Sequence, residues 1–373
     1  MKYLSEYRDG SVAAKMAACI QATSKMPARF MEVCGTHTVT IFKHGIREVL
    51  PEHIVLISGP GCPVCVTAKR DIDKAIKLGR IPHVIVTTFG DLMRVPGSES
   101  SLQKEKSLGA DVRIVYSTMD ALEIARQNPE KKVVFLGSGF ETTAPTVAAA
   151  VVAAEAEGIN NFSVLSSHKL LPPAMDALLS GGELDVSGFI CPGHVSTVIG
   201  TASYELVAAQ YRTPCVVAGF EPLDVLQGIY MLVSQIETGE ARVEIQYRRS
   251  VRPEGNPNAL KTLYTVFDPC DAAWRGLGVI PNSGLALREA YQAFDADALF
   301  DLEVADAPEP PGCKCGEILR GVKTPIDCKL FRKVCSPETP VGACMVSTEG
   351  TCAAYYKYSG LDTSNSSSVN ADR

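Results

Sequence analysis

Ile54-Val-Leu-Ile-Ser58 runs into Gly59-Pro-Gly-Cys62-Pro-Val-Cys65 and then into Val66-Thr-Ala-Lys-Arg-Asp-Ile-Asp-Lys-Ala-Ile-Lys-Leu78. The first run is short, apolar and β-branched, as a buried strand requires. The second is a Gly/Pro turn. The third, Val66–Leu78, places its apolar residues at helical spacing. Strand, turn and helix in that order make one unit of a parallel sheet with crossover helices.

The unit recurs along the chain. Further candidate strands are Phe30–Cys34, His83–Thr88, Val112–Tyr116, Val133–Gly137, Phe162–Ser166, Gly188–Cys191 and Cys215–Gly219, with helical patterns such as Thr146–Glu157 between them. Polar, Gly- and Pro-rich segments follow the strands, which puts them at the carboxyl ends where open α/β sheets bind ligands. Four strands fall between about 30 and 116 and four between 133 and 219, an architectural duplication without a residue-level repeat. The predicted fold is therefore α/β, with two similar parallel-sheet domains and a smaller cysteine-rich iron–sulfur domain. The expected divisions are an N-terminal helical segment, 1–28, packing on the C-terminal domain; a first α/β domain, 29–128; a second, 129–245; and the cysteine-rich domain, 246–373. Asp295–Pro310, acidic and Pro-rich, reads as a solvated linker, and the Ser/Asn/Thr-rich tail after Leu361 as disordered.

Composition narrows the function classes. Hydrophobic content of 46% and charged content of 21% are those of a globular protein, and a net charge of −6 gives no reason to expect nucleic-acid binding. The apolar stretch Ala144–Ala154 is too short to span a membrane, and Met1–Lys15 shows no signal-peptide pattern. A reducing cytoplasm is the expected location, and thirteen cysteines there point to metal or redox chemistry more than to structural disulfides.

Cys313, Cys328, Cys335 and Cys352 follow C-x14-C-x6-C-x16-C, and no histidine occurs after His194. An all-thiolate set with long gaps suits an iron–sulfur cluster. A structural zinc site or unligated core cysteines are the other readings, and Cys315 and Cys344 can substitute for a ligand on spacing alone. Cys62 and Cys65 form a C-x-x-C at a strand-to-helix turn, where the helix N-terminus favours a thiolate and a dithiol/disulfide cycle. Cys34-Gly-Thr-His37-Thr38 sets a thiol beside an imidazole, a pairing for iron, for zinc or for a nucleophile and its base; Thr36 or Thr38 is the expected helix cap. Glu141, in Gly-Phe-Glu-Thr-Thr-Ala-Pro, is a candidate acid/base or an acceptor holding His37, with a helix N-cap as the plain alternative. His194, in Pro-Gly-His-Val-Ser, has a similar standing. No G-x-x-x-x-G-K-[ST] or complete dinucleotide fingerprint is present.

Taken together, the Cys34 loop, Gly59–Cys65, Gly139–Pro145, Pro192–Ser196 and the C-terminal cysteine spacing resemble the HypD family of hydrogenase formation proteins. The resemblance implies two related α/β domains and a domain carrying a [4Fe–4S] cluster. It implies assembly of the Fe(CN)2CO group of [NiFe] hydrogenases, with a HypC-like small chaperone and a HypE-like donor that supplies cyanide from a thiocyanate. By motif, Cys34 would hold iron jointly with a cysteine of the chaperone, and Cys62 and Cys65 would be the redox pair, with both also counted as candidate iron ligands. Cys313, Cys328, Cys335 and Cys352 would bind the cluster. His37 and Glu141 would tune the site or handle protons. Such a protein is a scaffold with redox activity, since cleaving thiocyanate to iron-bound cyanide is reductive. The alternatives are a cluster-driven thiol–disulfide reductase and a cysteine-nucleophile enzyme built on Cys34 and His37.

Overall fold

The computed structural model describes residues 5–183, 185–305 and 308–360. All eight predicted strands form, each within two residues of its expected bounds: β1 Ala28–Glu32, β2 Ile54–Ser58, β3 Val84–Thr88, β4 Val112–Ile114, β5 Lys132–Gly137, β6 Phe162–Ser166, β7 Gly188–Pro192 and β8 Cys215–Ala218. Three more follow: β9 Val243–Ile245, β10 Phe267–Trp274 and β11 Gly278–Leu287.

Two parallel sheets result, ordered β2-β1-β7-β8-β9 and β4-β3-β5-β6, and β10–β11 is a separate antiparallel hairpin. Each parallel sheet is covered on both faces, as its nearly continuous apolar strands require. Along β5, Val133 and Phe135 pack under the helix Ala144–Ala156, while Val134 and Leu136 face Ile72, Ile76 and Val86 on the other side.

The strands do not sort by halves of the chain. The four-stranded sheet, residues 84–166, is nested between β2 and β7 of the five-stranded one. The two sheets share a plan, since in each the chain builds outward on one side of an inner strand and then crosses to the other side. This corrects the expected division at 128/129. Two other expectations change. The N-terminal helix α1 (Gly10–Thr23), capped by Asp9, lies against the helix Pro222–Thr238 of the five-stranded sheet, not against the C-terminal region. The segment from 246 is not one domain either: Pro257–Val266 and the hairpin pack around the four-stranded sheet, and the cysteine-rich module occupies the residues after 308.

The acidic segment is docked rather than solvated. Leu302 is buried, Glu309 pairs at 2.9 Å with the fully buried Arg275, and the Pro308 carbonyl accepts from Lys69. The tail after Leu361, expected to be disordered, lies outside the described residues. Among the described residues, no helix is long and apolar enough to cross a membrane.

Candidate functional site

In the five-stranded sheet the chain places β2 on one side of β1 and β7 on the other, so the crevice between the ends of β1 and β7 is the switch point where such sheets bind ligands. Cys34 and His194 sit at that crevice. Cys34 is the N-cap of α2 (Gly35–Lys43), and its sulfur lies 3.9 Å from His194 Nδ1. Burial pushes the Cys34 thiol up to about 12, against the pull of the His37 and Thr36 backbone N–H groups. Burial likewise drives His194 down to about 4, so its imidazole is neutral near pH 7. Phe220 closes the crevice, with its ring centroid 5.1 Å from His194 and 4.9 Å from His37.

Two loops fix the Cys34 backbone. Gly61 packs so closely that a Cβ there would stand 2.1 Å from the Cys34 nitrogen, and its carbonyl accepts from Gly35 N–H at 3.0 Å. Gly35 in turn abuts Glu349, where a Cβ would meet the Glu349 carbonyl oxygen at 2.6 Å, and Thr36 Oγ1 donates to Glu349 Oε1 at 2.7 Å. Glu349 belongs to the short stretch between Cys344 and Cys352, so the C-terminal module reaches directly into the crevice.

The expected helix Val66–Leu78 is two helices, α3 (Pro63–Val66) and α4 (Lys69–Gly79). The hairpin breaks it: Arg275 takes the Val66 carbonyl through its N–H at 2.9 Å and the Thr67 carbonyl through Nε at 3.0 Å, and Thr67 bridges to Trp274. Cys62 caps α3, its sulfur accepting from Cys65 N–H at 3.4 Å. Cys65 is fully buried, and burial raises its thiol well above the usual range. Its side chain meets Cys344, and Cys344 meets Cys315, sulfur to sulfur at 2.9 Å. Cys315 meets Cys313, and Cys344 also meets Cys352. A continuous run of thiols therefore leads from Cys62 to the C-terminal cysteines.

Those cysteines line one cavity. Cys313, Cys315, Cys328, Cys335, Cys344 and Cys352 line it with Ile318, Leu330, Phe331 and Met345. Gly342 forms part of the cradle, since a Cβ there would sit 2.8 Å from the Cys313 sulfur, and Val341 N–H donates to the Cys335 sulfur at 3.3 Å. The thiols of Cys313, Cys315, Cys335 and Cys344 are all raised, which a bound cationic centre would reverse by deprotonating its ligands. Among the described residues no three His, Cys, Asp or Glu side chains converge on a single-ion site. Zinc needs its ligands gathered on one point at about 2.3 Å, whereas a four-iron cluster takes one thiolate on each iron, spread around its body. Six cysteines and no histidine or carboxylate line the cavity, a donor set that an iron–sulfur cluster can use.

The HypD family model, described as the hydrogenase formation hypA family, matches residues 11–359. This chain belongs to the HypD family. It is 50% identical over 369 residues to the hydrogenase maturation factor HypD of Rhizobium leguminosarum bv. viciae, covering 96% of each chain. It is 48% identical over 368 residues to the hydrogenase maturation factor HypD2 of Bradyrhizobium diazoefficiens and 49% over 367 residues to HypD of Azotobacter vinelandii, in each case covering 96% of this chain and 97% of the relative.

Within this HypD-family chain the candidate residues redistribute. Cys34, Cys62 and Cys65 lie on adjoining loops of one sheet edge, and the C-terminal cysteines are gathered. His37 is buried beside them, but its Nε2–H is held by the Gly219 carbonyl at 2.9 Å, not by Glu141, and burial lowers it to about 4. Glu141 lies apart, accepting from Leu171 N–H at 2.9 Å in an apolar pocket that raises it to about 7. Neither threonine caps α2: Thr36 serves Glu349, and Thr38 bonds back to the Cys34 carbonyl. The reading from sequence placed His37 ahead of His194 and left out Glu349. His194 carried the signal of a Gly/His loop directly after a strand; Glu349 carried only its position between two cysteines.

Proposed function

We propose that this chain is a hydrogenase maturation factor, a scaffold on which the Fe(CN)2CO group is assembled. The single observation behind the reading is the run of thiols from the cysteine-lined cavity through Cys315/Cys344 to Cys65 and Cys62, whose loop packs on Cys34.

Cys34 binds the iron cargo together with a thiolate from a HypC-like chaperone. Its thiol, raised to about 12 by burial, loses its proton as iron binds, and neutral His194 at 3.9 Å is placed to receive it. Cyanide arrives as the thiocyanate of a HypE-like donor. The dithiol Cys62/Cys65 supplies two electrons: the donor's S–C bond breaks, the donor leaves as a free thiol, cyanide passes to iron, one proton is released, and Cys62–Cys65 becomes a disulfide. Cys315/Cys344 restores the pair by thiol–disulfide exchange through the Cys65–Cys344 contact. Cys313, Cys328, Cys335 and Cys352 would hold a [4Fe–4S] cluster, which when bound would supply single electrons beside Cys315/Cys344.

A generic disulfide reductase fits less well. It leaves Cys34, on the adjoining loop with its sulfur 3.9 Å from His194 Nδ1, without a role. The decisive measurement is infrared absorption of the anaerobically purified chain with and without its small chaperone, beside iron and labile-sulfide analysis. Cyanide and carbonyl stretching bands are expected on the complex and lost in Cys34→Ala. A complex without those bands, or a protein holding zinc alone, overturns the reading.

A further inference from the structure

We propose that the loop Cys328–Cys335 is the docking face for a small, acidic one-electron carrier protein. The proposal rests on the cluster reading above and names the surface through which electrons enter.

Cys328 and Cys335 both line the cavity. Between them the chain turns tightly: Phe331 N–H bonds to the Cys328 carbonyl and Cys335 N–H to the Leu330 carbonyl, each at 3.0 Å, and Arg332 takes the left-handed conformation with φ 58°. The turn sends Leu330 and Phe331 inward to line the cavity and leaves Lys329, Lys333 and Val334 on the surface. Nothing thicker than one loop separates this face from the cavity.

The face is basic in an acidic protein. Cys313–Cys335 holds six Lys/Arg against two Asp/Glu, in a chain of net charge −6. Both acids are engaged: Glu317 pairs with Lys314 at 3.1 Å and Lys323 at 3.3 Å, and Asp327 accepts from Thr324. Arg332 is tied to the Tyr356 carbonyl at 2.7 Å. Among the described residues Lys329 and Lys333 meet no carboxylate. Val334 and Ile326, 59% and 58% exposed, add apolar contact between the charges. A small apolar centre ringed by unpaired lysines fits a weak, transient, electrostatically steered encounter with an acidic protein. A single-stranded nucleic acid would need exposed aromatic platforms, and the nearby Phe331 is buried.

Each encounter oxidises one carrier by one electron. Two encounters, with two protons from water, turn one disulfide of the chain into two thiols.

The test uses the full chain, prepared anaerobically, with iron and sulfide measured first; their absence would fail the cluster reading and not the docking face. Reduction by an acidic ferredoxin, and separately by an acidic flavodoxin, is followed by stopped-flow absorbance over a range of salt. The wild-type second-order rate is expected to fall steeply with salt. Lys329→Glu/Lys333→Glu is expected to slow it roughly tenfold or more and to flatten its salt dependence. A photoreduced neutral deazaflavin should reduce both proteins equally. Response to only one carrier type identifies the carrier class. Should the double Glu variant lose its cluster, Lys329→Gln/Lys333→Gln with unaltered cluster absorbance takes its place. Unchanged carrier rates in the variant, an equal loss with the small reductant, or a loss confined to anionic vesicles or an oligonucleotide overturns the proposal.

Discussion

The surroundings of the Cys34 thiol do not activate it. It is buried, raised to about 12 and faced by a neutral imidazole, so in the isolated chain it is a protonated, unreactive thiol. Iodoacetamide at pH 8 should label exposed Cys19 readily and Cys34 at least a hundredfold more slowly, with full labelling of Cys34 only after unfolding; peptide mass spectrometry reads both, and equal labelling would contradict the dry crevice. Glu141 offers a second check, in stability. Its folded value of about 7 stands above the ordinary 4.5, so between these values the folded chain holds a proton that the unfolded chain releases. Its contribution is therefore fully present below pH 4.5 and lost as pH rises through 7. Glu141→Gln keeps the acceptor for Leu171 N–H but cannot ionise; chemical denaturation should show it close to wild type at pH 5 and more stable than wild type at pH 8. Burial of His37, His168 and His194, lowered to about 4, 3 and 4, has the opposite slope: these must charge as the chain unfolds in acid, so their contribution is present above 6.5 and lost as pH falls toward 4.

The turn after β2 is an element where backbone, not side chain, does the positioning. Gly61→Ala would drive a methyl into the Cys34 nitrogen at 2.1 Å, and neither backbone can yield without moving β1 or β2. A loss of about 2–3 kcal/mol or more is expected in chemical denaturation. Gly10→Ala, at the start of α1 with nothing within 4 Å of the new methyl, should be neutral or slightly stabilising. The strand itself was legible because Ile54–Ser58 declares its own conformation through local composition, and the same holds for every strand that the apolar runs marked. The break between α3 and α4 was not, since Val66–Leu78 keeps helical spacing throughout; the interruption comes from Arg275, about two hundred residues away in sequence, which takes the Val66 and Thr67 carbonyls, and from the bridge of Thr67 to Trp274. Pairing of strands is equally non-local. β2 and β3 are similar apolar runs, and nothing in either states that one pairs with β1 while the other starts a nested sheet.

The nesting decides what the molecule can do. Inserting the four-stranded sheet between β2 and β7 leaves the carboxyl edge of the larger sheet to Cys34, Cys62 and His194, and the C-terminal module closes on that edge through Glu349 and Cys344. Sequence spacing grouped the four cysteines Cys313, Cys328, Cys335 and Cys352 but could not assign Cys315 and Cys344, because a pair formed by residues 29 apart has no periodic signature; their 2.9 Å contact, and the Cys344 contact with Cys65, are products of tertiary packing. This gives the two kinds of cysteine different expected phenotypes. Cys335→Ser removes a cavity-lining sulfur that accepts Val341 N–H, and anaerobically purified protein should lose most of its iron and labile sulfide. Under the proposed division, in which Cys344 serves the pair with Cys315 and four other cysteines hold the cluster, Cys344→Ser should keep iron and sulfide near wild-type content yet leave Cys62 and Cys65 oxidised when the cluster is photoreduced. Differential thiol labelling after acid quench reads the oxidation state of Cys62 and Cys65 directly. Loss of the cluster in Cys344→Ser would make Cys344 a ligand and break the run at its middle; reduction of Cys62 and Cys65 at the wild-type rate would mean that electrons reach them by another path.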